Sequence, residues 1–330
     1  KLYIGKLFKQ KYIAAVGSGT DALMLSLKSL GVKEGDEVIT TPYTFYATIG
    51  AIVTLGAKPI FVDVKEDYNI DPNLIEKAIT KKTKVILPVH WSGRICDMKK
   101  IKSISKKHNI PIVEDACHAI KATYKGKFAG TFGEFGCFSL HPLKNLNVWG
   151  DGGYIIVNNK KNLKKILLLR NHGLVGRNKN LIFGYNSRLD TIQAVVANHL
   201  LKKIKKITSK RINNSMYLEN KLKKINSLIL KKRESFLKEV FHLYEFRVTN
   251  TKLRNKLVKY LMSRGIDAKI HYPIPMHLQP AAKKFGYKKG DFPVTEKISQ
   301  STISLPVHEF LKKKDLDYII KCITNFFDEN

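Results

Sequence analysis

The residues with the clearest capacity for covalent chemistry lie around Lys144. It stands in Phe138-Ser139-Leu140-His141-Pro142-Leu143-Lys144-Asn145-Leu146, which leads into Gly150-Asp151-Gly152-Gly153. Among 59 Lys and Arg residues, a lysine on its own carries no signal. This one follows an apolar strand pattern and precedes a glycine-rich turn that feeds a second apolar strand. That context places it over a sheet edge rather than on a solvated helix face. An amine held in a low-dielectric site loses proton affinity and can condense with an aldehyde.

Two further features share the expected edge. Glu114-Asp115-Ala116-Cys117-His118 closes the apolar run Ile110-Pro111-Ile112-Val113. A carboxylate at the end of such a strand is costly to bury unless a positive group meets it, and a protonated ring nitrogen would do so through a charge-assisted hydrogen bond. The plainer reading is an Asp that caps the next turn. Gly17-Ser18-Gly19-Thr20 lies between a strand and a helix. There, backbone N–H groups and the helix dipole suit an anion. The plainer reading is a tight turn with Thr20 as cap. Residues 17–22 also match a loose GxGxxA dinucleotide fingerprint, which keeps a nicotinamide oxidoreductase in play.

Taken together, the three features call for a ligand with a phosphate, a ring that wants a carboxylate partner and a carbonyl that wants an amine. Pyridoxal 5'-phosphate has all three. A nicotinamide dinucleotide needs only the first, with an acidic ribose clamp in place of the lysine.

The surrounding pattern supplies the edge. Strands are expected over 12–16, 37–40, 59–64, 84–90, 110–114, 136–140 and 154–157, and helices over 21–30, 46–55, 72–79 and 97–108. Apolar strands separated by amphipathic helices indicate an α/β fold, a three-layer sandwich whose mostly parallel sheet is covered on both faces. Right-handed crossovers then gather the strand C-termini on the edge where ligands bind. Beyond about residue 195 the pattern changes to a long helical stretch to about 225, strand-like 239–248, a helix over 252–264 and a last helix over 313–327. The expected division is a large domain over 1–205 and a smaller C-terminal α+β domain over 206–330. The opening residues read as running quickly into the first strand.

Composition narrows the classes. The net charge of +32 could mark a nucleic-acid binder, but the lysines are spread along the whole chain. In the densest part, over 202–238, they alternate with Leu201, Ile204 and Ile207 at helical intervals, as on solvated helix faces. The expectation is no nucleic acid, with a field that favours an anionic small substrate. No apolar run approaches the ~20 residues needed to cross a bilayer, and no secretory signal is read, so no membrane association is expected. Cys96, Cys117, Cys137 and Cys322 form no CxxC pair. Reduced thiols, a cytoplasmic setting and no metal site are expected.

With these motifs in this order, the sequence resembles the DegT/DnrJ/EryC1/StrS family of sugar aminotransferases, pyridoxal-phosphate enzymes of fold type I. The resemblance covers nearly the whole chain and extends to Gly35-Asp36-Glu37-Val38-Ile39, Gly184-Tyr185-Asn186-Ser187-Arg188-Leu189-Asp190, and His271-Tyr272-Pro273-Ile274-Pro275 with His277-Leu278-Gln279-Pro280. It implies that Lys144 forms the Schiff base and that Asp115 pairs with the ring nitrogen. His118 would lie near the ring hydroxyl, and Phe45 would stack on the ring. Ser18, Gly19, Thr20 and Ser139 would hold the phosphate, with Asn186 reaching the phosphate site of a neighbouring subunit in a homodimer. His271, Tyr272, His277 and Gln279 would position a nucleotide sugar, aminated at the expense of an amino acid such as glutamate. A catalytically silent regulator that keeps the fold is the alternative reading.

The departures are Leu140-His141 in place of an aromatic pair, Trp91-Ser92-Gly93-Arg94 in place of Leu-Tyr-Gly-Gln, and no counterpart of the family's N-terminal segment before Leu7. The presence of Lys144, where the family's dehydratase branch has histidine, implies transamination.

Overall fold

Successive side chains of a strand point to opposite faces, so a strand that is apolar throughout can feed two cores at once. The computed structural model, which describes residues 2–329, shows this in its main sheet. The strands are β1 (Tyr12–Val16), β2 (Glu37–Thr40), β3 (Lys58–Phe61), β4 (Thr83–Ile86), β5 (Val113–Asp115), β6 (Phe135–Ser139) and β7 (Gly153–Val157). Along β7, Tyr154 and Ile156 enter one hydrophobic core while Ile155 and Val157 enter the other.

Strands β3, β2 and β4 pair in parallel, and β4 meets β5 through the parallel bridges Ile86–Ile112 and Val89–Asp115. Strand β5 runs parallel to β6, and β7 pairs antiparallel with both β6 and β1. The spatial order is therefore β3-β2-β4-β5-β6-β7-β1, with β7 alone reversed. One face carries α1 (Leu2–Phe8), packed beside β1 and the helix Thr191–Leu201. The other carries α2 (Gly19–Ser29) and the helix Lys160–Leu169.

A separate core forms in the C-terminal part around Leu218, Leu257, Phe246, Ile303 and Ile323. It is built on the antiparallel sheet Leu228–Ile229, Tyr244–Val248, Thr302–Leu305 and on the helices Ile204–Leu222, Thr251–Ser263 and Lys313–Asp328.

Several expectations change. The first residues form a helix before the first strand. The expected strand over 110–114 begins only at Val113, because Pro111 has no N–H for a ladder. The long helical stretch is two helices, Thr191–Leu201 and Ile204–Leu222. Of strand-like 239–248, only Tyr244–Val248 pairs at length. The helix Lys160–Leu169 was not read from the sequence.

Candidate active site

At the C-terminal edge of the main sheet, the loops after β1, β2, β5 and β6 and segments of the C-terminal part enclose a cavity of about 270 Å³. Small-molecule sites are usually at or above this size, roughly 300 Å³ upward. The cavity brings together Ser18, Gly19, Thr20, Phe45, Asp115, His118, Ser139, Lys144, His271 and Tyr272.

Helix α2 supplies the anion end. Ser18 is its N-cap, with extended backbone and a hydroxyl oxygen that accepts from Asp21 N–H at 3.0 Å. Its carbonyl accepts from Ala22 N–H at 3.0 Å. That leaves the N–H groups of Gly19 and Thr20, and the Ser18 hydroxyl proton, for a ligand. A Cβ at Gly19 would lie 2.7 Å from Ser139 Cβ and 3.0 Å from Cys117 Sγ, so only glycine lets the helix start this close to β6. Gly153 serves the same approach from β7: its Cβ would meet Ser18 O at 2.3 Å.

Asp115 and Glu114 are adjacent and both buried, but the strand sends them to opposite faces. Glu114 accepts from His90 Nε2 at 2.8 Å and from the N–H groups of Gly130, Phe132 and Gly133 at 2.8, 2.6 and 2.8 Å. It ties the loop after β5 to the sheet. Asp115 faces the cavity, where Thr48 Oγ1 donates to Oδ2 at 2.8 Å and Cys117 N–H donates to Oδ1 at 3.2 Å. Among the described residues it forms no ion pair, so a buried carboxylate is left to receive a cationic N–H.

Lys144 sits in a loop closed at its base by Leu140 N–H to Gly152 O at 2.8 Å and Val148 N–H to Leu140 O at 2.9 Å. Asn145 Nδ2 anchors the next residue to Val240 O at 2.9 Å. Burial holds the Lys144 ammonium below the usual lysine range, and the nearby Cys117 and Asp115 pull it partly back. His118 accepts at Nδ1 from Ser92 N–H at 3.3 Å, which puts its own proton on Nε2. Burial first, then the Lys144 and His271 charges, keep it well below the ordinary histidine value. The Phe45 ring lies 5.3 Å from Tyr46 and 6.0 Å from Tyr272, centroid to centroid, and half of it is open to the cavity mouth.

Asn186, His277 and Gln279 lie outside this cavity. Asn186 is exposed, bridged to Asn171, and accepts from Arg188 Nε at 3.0 Å. His277 is buried against Phe292, with Nε2 3.0 Å from Glu296. Gln279 donates to Ile274 O at 3.0 Å.

Thr48, Cys117 and His242 reach the cavity although the sequence did not single them out. The available signals were a threonine on the inner face of the helix Tyr46–Val53 and a histidine interrupting the apolar run Val240-Phe241 and Leu243-Tyr244.

A family model for the DegT/DnrJ/EryC1/StrS aminotransferases matches residues 3–324. The chain belongs to this family. It is a pyridoxal-phosphate-dependent aminotransferase, and solved relatives include forms with pyridoxal and pyridoxamine phosphate. It is 38% identical to the "Pleiotropic regulatory protein" of Geobacillus stearothermophilus, over 97% of this chain and 86% of that protein. It is 36% identical to the UDP-2-acetamido-2-deoxy-3-oxo-D-glucuronate aminotransferase of Pseudomonas aeruginosa, over 96% of this chain and 86% of the relative. The crystal structure of S. venezuelae DesV in complex with a ketimine intermediate superposes with a TM-score of 0.95 at 32% identity, covering 99% of this chain and 88% of that one. Family membership removes the oxidoreductase reading of residues 17–22. Among the described residues no helix is long and apolar enough to cross a membrane.

Proposed function

We propose that this aminotransferase moves an amino group from an amino acid, glutamate foremost, to a nucleotide-linked keto sugar, with Lys144 as its Schiff-base lysine. The observation that carries the reading is that a buried carboxylate without a cation, Asp115, and a burial-depressed amine, Lys144, line one cavity with a helix N-terminus. Support for the acceptor comes from relatives named for UDP- and dTDP-linked sugars.

The residues fit the cofactor. Asp115 would hold the ring-nitrogen proton, with Thr48 and Cys117 N–H fixing the carboxylate. Ser18, Gly19, Thr20 and Ser139 would hold the phosphate, Phe45 would cover the ring, and His118 would offer Nε2–H. When bound, pyridoxal phosphate supplies an aldehyde for the amine and a ring that takes up the electron pair released at the reacting carbon. Lys144, as a free amine, would act as the base that takes the proton from the donor's α-carbon and then as the acid that gives it back. Its lowered proton affinity keeps a share of the free base ready for that step. Phe45 and Tyr272 restrict water at the mouth. The same residues, working in reverse order, would aminate the keto sugar, with His271 and Tyr272 at the cavity and His277 and Gln279 supporting that loop from outside it.

The working unit proposed is a homodimer, because Asn186 cannot serve the cavity of its own chain. Leu143, at the cavity, and Trp149 and Phe183 are 74, 78 and 95% exposed, large apolar side chains that a second copy could cover. A cytoplasmic setting and a division near residue 205 into a cofactor domain and a C-terminal domain complete the reading.

The test is Lys144→Ala. Transamination should fall by ~10⁴-fold or more, with the fold kept by circular dichroism. A variant that retains full activity would sink the assignment. The regulatory alternative is favoured by the name of the Geobacillus relative. Purified protein with a visible band that borohydride bleaches, and that turns over a panel of keto sugars, would exclude a silent regulator.

A further inference from the structure

His242 is the one cavity-lining residue, among those described, with a side-chain atom sealed from solvent and unpartnered, its Nδ1. Its backbone is firmly held. His242 N–H donates to Ser92 O at 2.9 Å, and the Arg211 guanidinium donates to the carbonyls of Phe241 and His242 at 3.4 and 3.5 Å. Ser92 links this segment to His118: its N–H donates to His118 Nδ1 at 3.3 Å and its hydroxyl to Leu243 O at 2.8 Å. The two imidazole rings are in close, tilted contact, with centroids 4.2 Å apart and planes 38° apart. Trp91 covers His118 from another side at 5.3 Å.

An apolar ring at 242 would fill this space without sealing off a nitrogen. The contribution visible in the structure is therefore the bulk of the ring, packed at a tilt against His118. We propose that His242 is a positioning residue whose ring shields His118 from water and keeps it neutral, with Nε2–H presented to the cavity. The proposal deepens the reading above and rests on it for the meaning of that N–H, which is donation to the bound cofactor's ring oxygen.

The charges around the pair agree. Lys144, His271 and Arg211 are the basic groups that act on the two rings, and each opposes a further proton. Of the carboxylates lining the cavity, Asp115 is engaged by Thr48 and Cys117, and Asp151 is exposed. Glu245, beneath Trp91, is taken by the indole N–H at 3.0 Å and by Lys231 at 3.0 Å.

The experiment follows the His118 ring by ¹⁵N-imidazole NMR between about pH 5 and 8, in cofactor-free and cofactor-loaded protein. Wild type should show one neutral tautomer, protonated at Nε2. His242→Ala should raise the His118 midpoint by about one unit or more, a tenfold gain in proton affinity, and mix the tautomers. His242→Phe keeps a packed ring there and should restore the wild-type pattern. In loaded protein, the pH dependence of the visible band should follow the same order. If the alanine variant does not fold, His242→Leu takes its place with the same expectation. An unchanged His118 in the alanine or leucine variant, or a phenylalanine variant as disturbed as alanine, would overturn the proposal. Failure of every variant and of wild type to bind pyridoxal phosphate would instead sink the functional reading, while the cofactor-free spectra still decide the role of His242.

Discussion

The two walls of the cavity are finished to different degrees. On the wall built by the main sheet, the groups that would meet the cofactor are held in place by the fold while their free valences face the cavity. Asp115 is fixed by Thr48 and Cys117 N–H, Ser18 caps α2, and Gly19 is wedged against Ser139. On the C-terminal side, the cavity-lining His242 leaves Nδ1 sealed and unpartnered, which no described lining residue of the main sheet does. A site that always holds the same cofactor gains from groups fixed before binding. A wall that meets a changing ligand can leave polar atoms unsatisfied until that ligand or a partner chain arrives.

The sharpest way to break this comparison sets the two neighbours on β5 against each other. Asp115→Asn keeps the shape but removes the charge that should hold a ring proton. Turnover is expected to drop roughly 10²–10⁴-fold with little change in melting temperature. Glu114→Gln should do the opposite. It turns one carboxylate oxygen, which carries two of the four acceptor contacts in a fully buried site, into an amide NH2 that faces donors. Stability should fall by about 1.5–3 kcal/mol in urea titration, with kcat per folded molecule nearly kept. If Glu114→Gln removed kcat while leaving stability intact, the division of labour between the two carboxylates would be wrong.

Much of the main-sheet wall was legible in the sequence, because its chemistry sits where the pattern changes. Lys144, Asp115 and Gly17–Thr20 each follow a run of apolar residues, and a charged or glycine-rich end to such a run is unusual enough to read. What could not be read depended on direction and depth. An apolar strand looks the same parallel or antiparallel, so the reversal of β7 left no trace in its residues. Thr48 reaches Asp115 only because of how its helix packs, and nothing in Tyr46-Ala47-Thr48-Ile49 fixes that depth. Period two distinguishes Glu114 from Asp115 by face but does not say which face carries the cavity. On the other wall, His271 and Tyr272 came through resemblance to the family, and His242 was missed because its segment pairs only from Tyr244 onward.

A milder test concerns pH. Burial holds His118 and His242 well below the ordinary histidine value of about 6.5 in the folded chain. As pH falls through about 6.5, the unfolded chain takes up these protons and the folded chain does not, so folding loses free energy. The loss begins near that value and continues down to the lowered folded values, by at most about 1.4 kcal/mol per pH unit for each histidine. Urea titrations of cofactor-free protein at pH 7.5, 6.5 and 5.5 (roughly spanning the histidine range) should show stability falling toward acid. The slope should be visibly smaller in a His118→Gln, His242→Phe variant. An equal slope in both proteins would mean that these rings are not held neutral by the fold.

The smallest effects are expected on the loop that the cavity does not reach. Gln279 donates one hydrogen bond to Ile274 O from a half-exposed position. Gln279→Ala should therefore change stability by no more than ~0.5 kcal/mol. His277 is buried and bonded to Glu296, so His277→Leu removes one hydrogen bond and leaves an acidic partner that still accepts from Gly290 N–H at 2.7 Å. A cost of about 1–3 kcal/mol in stability is expected, without a change in KM for either substrate beyond twofold. The pair sharpens the contrast between the walls. If Gln279→Ala instead raises KM for the keto sugar tenfold while melting is unchanged, the substrate reaches past the cavity of the single chain, and the unfinished wall is longer than the geometry of one copy indicates.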